Sequence, residues 1–203
     1  RRSSDLCIDN SKNQWNSLYD LDNTESNSIS KAIRDIIYPS FENIFSDFEI
    51  PIATYMSKNP IAGSTCELHR DFSIYDENKV QFRNFWIPLI DINEKNGALY
   101  VVPGSHKIFT DIRPMFTDWQ YEHFRDNMMH LKKTIYASAG DLILYTDRTL
   151  HGSHENKTSE PRPVVHGGVL PINSPLCYYH YSEPYLKKHR VNIDFYLKRE
   201  FLD

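Results

Sequence analysis

The pattern of hydrophobic and polar residues divides the chain into three parts. Residues 1–27 are rich in Ser, Asn and Asp and have no periodic apolar positions, which predicts an irregular arm. Residues 28–49 are expected to be helical, with Pro39 ending or kinking the helix because proline has no amide hydrogen to donate. The apolar positions that follow helical spacing are Ile29, Ala32, Ile33, Ile36 and Ile37.

The third part, from about residue 51 to about residue 180, consists of short runs of β-forming residues separated by Pro, Gly and Asn. The segments NEKNG and SAGD have the composition of turns between strands. One interruption, DWQYEHFRDNMMHLKK, is expected to be helical. Many short strands between turn signals are typical of a sandwich or barrel. The pattern therefore predicts a single domain over residues 1–203, mainly β with flanking helices, with a jelly-roll core (a double-stranded β-helix, cupin-like).

Length, charge and cysteine content argue against several classes of protein. The 203 residues suffice for one domain with its own core, and the net charge of −4 provides no basic surface for nucleic acid. No apolar run approaches the roughly 20 residues of a transmembrane helix, and no secretory signal is visible. The three cysteines lie far apart and are odd in number, which argues against a disulfide framework. We therefore expect a cytoplasmic protein without a nucleic-acid partner.

A histidine and an acid stand two residues apart in the run CELHRDFSIYDE. In a strand, residues i and i+2 point to the same side, so His69 and Asp71 can reach the same point while Arg70 points away. The pair could bind a metal ion or could form one polar face of a surface strand. Alone, it does not decide between these alternatives.

A second candidate ligand lies later in the chain. His151 ends an apolar run, and Arg162 lies eleven residues further on, at the start of the next apolar run. Two neutral imidazoles and one carboxylate on one face of a metal form the facial triad of non-haem Fe(II) oxygenases, which leaves positions for a bidentate 2-oxo acid and dioxygen. The far carboxylate of that acid needs a planar fork donor, which favours arginine over lysine. Arg162 is suited to this task, and the Ser153 hydroxyl could add a hydrogen bond.

Several of these motifs occur together in one known family. The runs MSKNPIAG, LHRDFSIYDE, FWIPLIDINEKNGALYVVPGSHK, AGDLILY and LHGSHENKTSEPRP follow one another over about residues 53–171. In this order they resemble the phytanoyl-CoA dioxygenase-like branch of the Fe(II)/2-oxoglutarate oxygenases. The resemblance implies an Fe(II) site formed by His69, Asp71 and His151. It also implies that Arg162, with Ser153 beside it, binds the outer carboxylate of 2-oxoglutarate.

The resemblance also implies that one particular strand lines the co-substrate pocket. The family has a W-x-P-L strand there, which corresponds to FRNFWIPL in this chain. Counting by two along this run places Asn84 and Trp86 on the same face, and we expect that face to border the pocket. Lys58, in MSKNP, matches a lysine that some relatives use near the pocket, and the sequence assigns it no role.

Other histidines and aromatic residues have plainer interpretations. His154 competes for the distal ligand position, but it lies beyond a Gly-Ser step and is expected outside the ligand set, while His106 belongs to a turn. Cys66 is expected to be a small buried apolar residue. The run CYYHYSEPY is expected to pack in the core rather than line a pocket mouth. His166 shares a strand face with the candidate anion anchor and could point into the barrel.

The activity that the resemblance implies is hydroxylation of an unactivated C–H bond of a small organic substrate, with dioxygen consumed and succinate and carbon dioxide released. Family members that halogenate replace the acid of the triad with a small residue, so Asp71 favours hydroxylation. Two other classes remain open. One is a cupin-like metalloenzyme, an isomerase or a zinc hydrolase, that does not use 2-oxoglutarate. The other is a binding protein that kept the fold without the chemistry. Metal identity and 2-oxoglutarate binding separate the three.

Overall fold

The computed structural model describes residues 14–115, 122–182 and 185–197 of the chain. Its strands are β1 (Gln14–Asn16), β2 (Phe48–Glu49), β3 (Ala53–Lys58), β4 (Cys66–His69), β5 (Arg83–Pro88), β6 (Leu99–Val101), β7 (Lys133–Thr134), β8 (Ile143–Tyr145), β9 (His151–Ser153), β10 (Arg162–Pro171), β11 (Leu176–Ser182) and β12 (Tyr185–Val191). The α-helices are α1 (Asn23–Phe41), α2 (Arg125–Met129) and α3 (Ile193–Leu197), with 3-10 turns at Ser105–Lys107 and Glu122–Phe124. Of the described helices, none has the length and apolar character needed to cross a membrane.

Two antiparallel sheets form the core of the fold. The larger sheet has the order β1-β3-β10-β5-β8, with β2 also paired to β10, and the smaller sheet has the order β4-β9-β6-β7. Apolar side chains from both sheets, among them Trp86, Leu99 and Val164, pack together in one buried cluster. This arrangement is the predicted jelly roll, and β11 and β12 form a separate hairpin.

Side chains of the larger sheet alternate between a helix-covered face and a face that lines the site. Phe85 of β5 and Val165 of β10 pack against Phe41 of α1. Their neighbours point the other way, because successive residues of a strand face opposite sides of the sheet. The strand register pairs His166 with Trp86, and Gly168 with Asn84. The predicted shared face of Asn84 and Trp86 is therefore the inner face, where both residues line a cavity.

Helix α1 differs in extent from the predicted segment 28–49. It begins at Asn23, because the Asp22 carboxylate accepts hydrogen bonds from the amides of Thr24 and Glu25 at 2.8 and 2.9 Å. Pro39 lies inside the last turn and does not end the helix, which continues to Phe41.

The predicted irregular arm and the second predicted helix are only partly described. Residues 14–16 of the arm form β1, which pairs with β3 and places the Trp15 ring 5.7 Å from that of Tyr55. Residues 1–13 lie outside the described residues, as do residues 116–121 near the start of the second predicted helix. In that region, the described helical residues are Glu122–Phe124 and Arg125–Met129.

Candidate metal centre

Three candidate ligands meet where the smaller sheet ends. His69 is the last residue of β4 and pairs in register with His151, the first residue of β9. Asp71 follows β4 and places one carboxylate oxygen 3.9 Å from His69 Nε2 and the other 3.7 Å from His151 Nε2. Ligand atoms from all three residues lie within 4.8 Å of one another. The pairing of β4 with β9 thus brings together His69 and His151, which are 82 positions apart in the sequence.

Backbone contacts fix both imidazoles in the orientation that metal binding needs. His69 Nδ1 lies 2.8 Å from the carbonyl oxygen of Glu67, and His151 Nδ1 lies 2.9 Å from that of Thr149. A carbonyl oxygen can only accept a hydrogen bond, so each Nδ1 donates and each Nε2 is directed toward the Asp71 carboxylate. This is the arrangement in which a second ring nitrogen orients a metal ligand. Two such imidazoles and one carboxylate fit a non-haem iron ion.

The electrostatics of the triad favour an ionised acid between two histidines of different basicity. Burial alone would raise the pKa of Asp71, but His151 and His69 hold it below its usual range. Burial, together with the charge of His69, lowers the pKa of His151 to about 4, so this imidazole is neutral at physiological pH. Burial also acts to lower the pKa of His69, but Cys66 and Asp71 outweigh it and raise the value to about 9. A metal ion binding at His69 would therefore displace a proton.

Two further side chains hold Asp71 in place. The Asn84 side-chain amide donates a 2.6 Å hydrogen bond to Asp71 Oδ2, and Arg113 Nε donates to the backbone carbonyl of Asp71. Ser73 and Arg113 also exchange backbone contacts, since the Ser73 amide donates to the Arg113 carbonyl at 2.9 Å and the Ser73 hydroxyl accepts from the Arg113 amide at 3.0 Å. The segment that carries the acidic ligand is therefore fixed from two sides. The sequence pointed to Asn84 as a co-substrate contact and gave no role to Arg113.

Arg113 belongs to a group of four charged side chains, called here the ionic cluster, in which Arg148 is half-buried and the other three are buried: Glu77, Arg113, Asp147 and Arg148. The Arg113 guanidinium lies 2.5 Å from Glu77 and 2.7 Å from Asp147, and Arg148 lies 2.5 Å from Glu77. Burial and the charge of Glu77 raise the pKa of Asp147 to about 6. Burial acts in the same direction on Glu77, but Arg113 and Arg148 outweigh it and lower the pKa of Glu77. The cluster therefore stabilises the ionised form of Glu77 and disfavours the ionised form of Asp147.

Arg162, the predicted anion anchor, is a buried cation that faces the same cavity as the triad. Its side chain is held against Trp86, with the guanidinium carbon 5.1 Å from the ring centroid. Its Nε is buried without a hydrogen-bond partner, and no carboxylate of the described residues forms an ion pair with it. Burial lowers the pKa of Arg162 to about 10, which still leaves it positively charged at neutral pH. A buried guanidinium in this state is suited to an anionic ligand.

The cavity has a volume of about 580 Å³ and also contains residues that the sequence did not single out. Ser153, which the sequence predicted at the site, lines the cavity together with the three residues of the triad. Tyr145 places its ring 4.8 Å from that of His151 and its hydroxyl 3.3 Å from His166 Nε2. Cys66 is half-buried and lines the cavity, with Sγ 3.8 Å from His69 Nδ1, so it is not the fully buried apolar residue that was expected.

Several sequence candidates lie away from the cavity. The Lys58 side chain is buried and donates to the backbone carbonyls of Ser64 and His154, which joins two loops. The His154 ring lies against Tyr100 and contacts the Thr134 hydroxyl at 2.9 Å, so it does not belong to the ligand group. His106 lies in a 3-10 turn, as expected.

The aromatic run near the end of the chain contributes both to the core and to the lining of the cavity. Tyr178 and Tyr179 of β11 are buried in the core, whereas Tyr181 lines the cavity. Residues 183–184 of the run lie outside the described residues.

Comparison with known proteins identifies the family. Residues 19–164 match the family described as phytanoyl-CoA dioxygenase (PhyH), and this match spans more than half of the chain. The chain belongs to the phytanoyl-CoA dioxygenase family. Among the relatives of this PhyH chain, dioxygenase FUM3 of Gibberella moniliformis is 30% identical over 105 residues, which is 47% of this chain and 30% of FUM3. Ectoine dioxygenase of Halomonas elongata is 30% identical over 94 residues, which is 37% of this chain and 27% of that protein. The matched regions thus span less than a third of either relative.

Solved structures share the fold of this PhyH chain. The epimerase SnoN, crystallised with Fe3+, alpha ketoglutarate and nogalamycin RO, has a TM-score of 0.57 at 20% identity, covering 71% of this chain and 60% of SnoN. EvdO2 from Micromonospora carbonacea var. aurantiaca has a TM-score of 0.56 at 16% identity, covering 76% of this chain and 68% of EvdO2. At these identities the likeness establishes the common fold.

Proposed function

We propose that this PhyH protein is an Fe(II)- and 2-oxoglutarate-dependent dioxygenase whose metal is held by His69, Asp71 and His151. The observation that carries the proposal is the convergence of the three ligand atoms within 4.8 Å, with Nδ1 of both histidines already committed to backbone carbonyls. When bound, iron and 2-oxoglutarate supply the oxidising chemistry, and the co-substrate leaves as succinate and carbon dioxide. The residues of the chain hold and orient these groups and keep water from the reacting atoms.

In this proposal, Arg162 binds the outer carboxylate of 2-oxoglutarate. Its burial, its unpaired Nε and its contact with the Trp86 ring support that role, because the guanidinium is positioned in advance and has no competing acid among the described residues. Ser153 lines the same cavity and is proposed to add a hydrogen bond. Asn84 is proposed to act on the metal site through its hydrogen bond to Asp71.

We further propose hydroxylation of a C–H bond as the reaction, rather than halogenation. Asp71 supports this, because its carboxylate would take the place on a bound metal ion that a halide would otherwise need. The substrate would enter the cavity of about 580 Å³ that borders the triad. The solved structures with this fold include an epimerase, SnoN, so the products of a turnover assay must be identified directly.

The proposal is tested by anaerobic titration of the metal-depleted protein with Fe(II) and then with 2-oxoglutarate, while the visible metal-to-ligand charge-transfer band is recorded. Arg162→Ala should require at least about 30-fold more 2-oxoglutarate for the same band, since loss of one partner of a buried charge pair costs 2 kcal/mol or more. Arg190→Ala, at an exposed position of β12, is the matched control and should behave as the wild type.

Each outcome separates the classes that the sequence left open. Metal binding without the band contradicts the use of 2-oxoglutarate and favours a cupin-like isomerase or zinc hydrolase. Failure to bind either metal or 2-oxoglutarate favours a binding protein without catalysis. Once a substrate is known, His69→Ala, Asp71→Ala and His151→Ala should each abolish succinate release. Near-normal release by any one of them would contradict the ligand assignment.

A further inference from the structure

The cavity next to the triad is large enough to hold a substrate of moderate size, and the charges and polarity of its lining side chains limit which substrates can bind. Its volume of about 580 Å³ lies within the range of volumes, roughly 300–1,000 Å³, of pockets that bind drug-sized molecules. The charged groups that line it, outside the triad, belong to Arg70, Asp111, Arg113, Asp147 and Arg162. Which of these charges is available to a ligand determines what the cavity can bind.

Arg70 is neutralised within the protein. Its guanidinium donates two hydrogen bonds to the Asp111 carboxylate, at 3.0 and 2.9 Å, and a third to the Phe109 carbonyl at 2.9 Å. Only 1% of the Arg70 side chain is exposed. Both bonds to Asp111 come from Nη2 of Arg70, and the Asp111 carboxylate balances the positive charge that an incoming carboxylate or phosphate would need.

Arg113 is neutralised in the same way by the ionic cluster. It lies 2.7 Å from Asp147 and 2.5 Å from Glu77, and its remaining donors are directed to the backbone carbonyls of Asp71 and Asp111. Among the described residues that line the cavity, Arg162 is therefore the cationic side chain without an acidic partner. The proposed function assigns that cation to 2-oxoglutarate.

The rest of the wall is mostly apolar. Six of its side chains form a hydrophobic surface: Met56, Phe72, Ile74, Phe82, Ile112 and Met115. Gln14, Asn16 and Thr54 also line the cavity and offer uncharged hydrogen-bonding groups.

We infer that the primary substrate is an uncharged, largely apolar molecule whose polar groups are neutral ones such as hydroxyl or carbonyl groups. This inference rests on the proposed function, in which Arg162 is occupied by 2-oxoglutarate and Asp71 by the metal. A substrate carboxylate, phosphate or ammonium would then lose its hydration without gaining an opposite charge from the described wall, which is strongly unfavourable. An apolar skeleton gains binding energy from the same surface.

The test uses three probes with one carbon skeleton and different charges: 1-adamantanol, adamantane-1-carboxylate and 1-adamantylamine. Each is measured by anaerobic equilibrium dialysis against the Fe(II)-loaded protein at saturating 2-oxoglutarate, so that Arg162 is occupied. The alcohol should bind at least tenfold more tightly than either charged probe. Equal or tighter binding of the acid or the amine would overturn the inference, and so would the absence of measurable binding of the alcohol.

A substitution in the wall tests the electrostatic reason for the preference. Ile112 is half-buried and lines the cavity, so Ile112→Lys places a cation there, and Ile112→Met changes the shape without adding charge. The Lys variant should gain at least tenfold in affinity for adamantane-1-carboxylate, whereas the Met variant should keep the wild-type order. If the Lys variant, folded by circular dichroism, leaves carboxylate binding unchanged, the charge of the wall does not select the substrate and the inference fails.

The charge-transfer band of the same samples keeps this test separate from that of the proposed function. A normal band with a preference for a charged probe overturns the substrate class alone. A missing band overturns the proposed function, and with it the assignment of Arg162 on which the inference rests.

Discussion

Asn84 illustrates how the proposed metal centre would depend on residues that are not ligands. Its side-chain amide donates to Asp71 Oδ2 at 2.6 Å, and Asn84 is itself buried. Leucine has a similar shape but cannot donate, so Asn84→Leu should leave the Asp71 carboxylate without its partner and free to rotate. Loss of such a supporting contact typically weakens metal binding 10- to 100-fold. Fe(II) titration of the variant should show a loss of about this size, with 2-oxoglutarate binding measured separately on the fully metallated protein.

Asn78→Leu provides the matched control, because Asn78 is exposed in the segment between β4 and β5. It should bind metal as the wild type does. A variant at Asn84 that binds metal normally but 2-oxoglutarate weakly would contradict the proposed role and would support the sequence-based expectation that this residue contacts the co-substrate.

The sequence was informative about residues that lie on regular strands with recognisable spacing. The spacing of His69 and Asp71 indicated that both could reach one point, as the structure has them, although β4 ends at His69 and Asp71 lies just beyond it. The alternation along β5 put Asn84 and Trp86 on the inner face, where the structure also has them. Arg113 could not be found in this way, since it lies in an irregular segment and its contacts come from residues about 40 positions earlier and 34 positions later.

The ionic cluster connects three segments: the one after β4, the one that carries Arg113, and the one after β8. Glu77→Gln removes an acid whose ionised form is stabilised by two arginines, so at pH 7 we expect a loss of about 3–5 kcal/mol in the free energy of unfolding. Asp147→Asn removes an acid whose ionisation is opposed by burial and by Glu77, so we expect a loss of about 1 kcal/mol or less. Urea unfolding of both variants at pH 7 measures the difference, and equal losses would contradict it.

The same difference predicts a pH dependence. The pKa of Asp147 is raised from its ordinary value of 3.8 to about 6 in the folded protein. Between these values the folded state binds more protons than the unfolded state, so this group stabilises the fold at low pH and loses that contribution as the pH rises through about 6. The free energy of unfolding of the wild type, relative to Asp147→Asn, should therefore fall between pH 5 and pH 7. A relative increase over that interval would show that the pKa of Asp147 is lowered instead.

Helix α1 provides a stability test at the level of a single element. Asp22→Ala removes both hydrogen bonds to the first turn and should lower the free energy of unfolding by about 1 kcal/mol. Asp22→Asn retains an accepting oxygen and should be within a few tenths of the wild type. The start of this helix was not predictable from its apolar spacing, because the first turn is polar and only the acid at Asp22 indicates it. An unchanged stability of Asp22→Ala in urea unfolding would mean that the first turn is held by other contacts.

At the scale of the whole molecule, the proposed ligands join the two sheets. The proposed metal site lies where β4 ends and β9 begins in the smaller sheet, whereas Arg162 belongs to β10 of the larger sheet. A ligand that binds only the folded state stabilises it by mass action, by about 2.7 kcal/mol when its concentration is 100 times its dissociation constant. The melting temperature should therefore rise on addition of Fe(II) under anaerobic conditions and should rise again on addition of 2-oxoglutarate.

Two variants should separate these two steps in a thermal scan. Arg162→Ala should keep the increase caused by metal and lose the further increase caused by 2-oxoglutarate, because its metal ligands are intact. Asp71→Ala should lose both, since 2-oxoglutarate would have no metal to chelate and would retain only its contact with Arg162. A full 2-oxoglutarate response in Arg162→Ala would place the anion anchor elsewhere in the cavity. A 2-oxoglutarate response of normal size in Asp71→Ala would show that the co-substrate binds independently of the triad, and the proposed coupling of the two sheets through a shared ligand would be wrong.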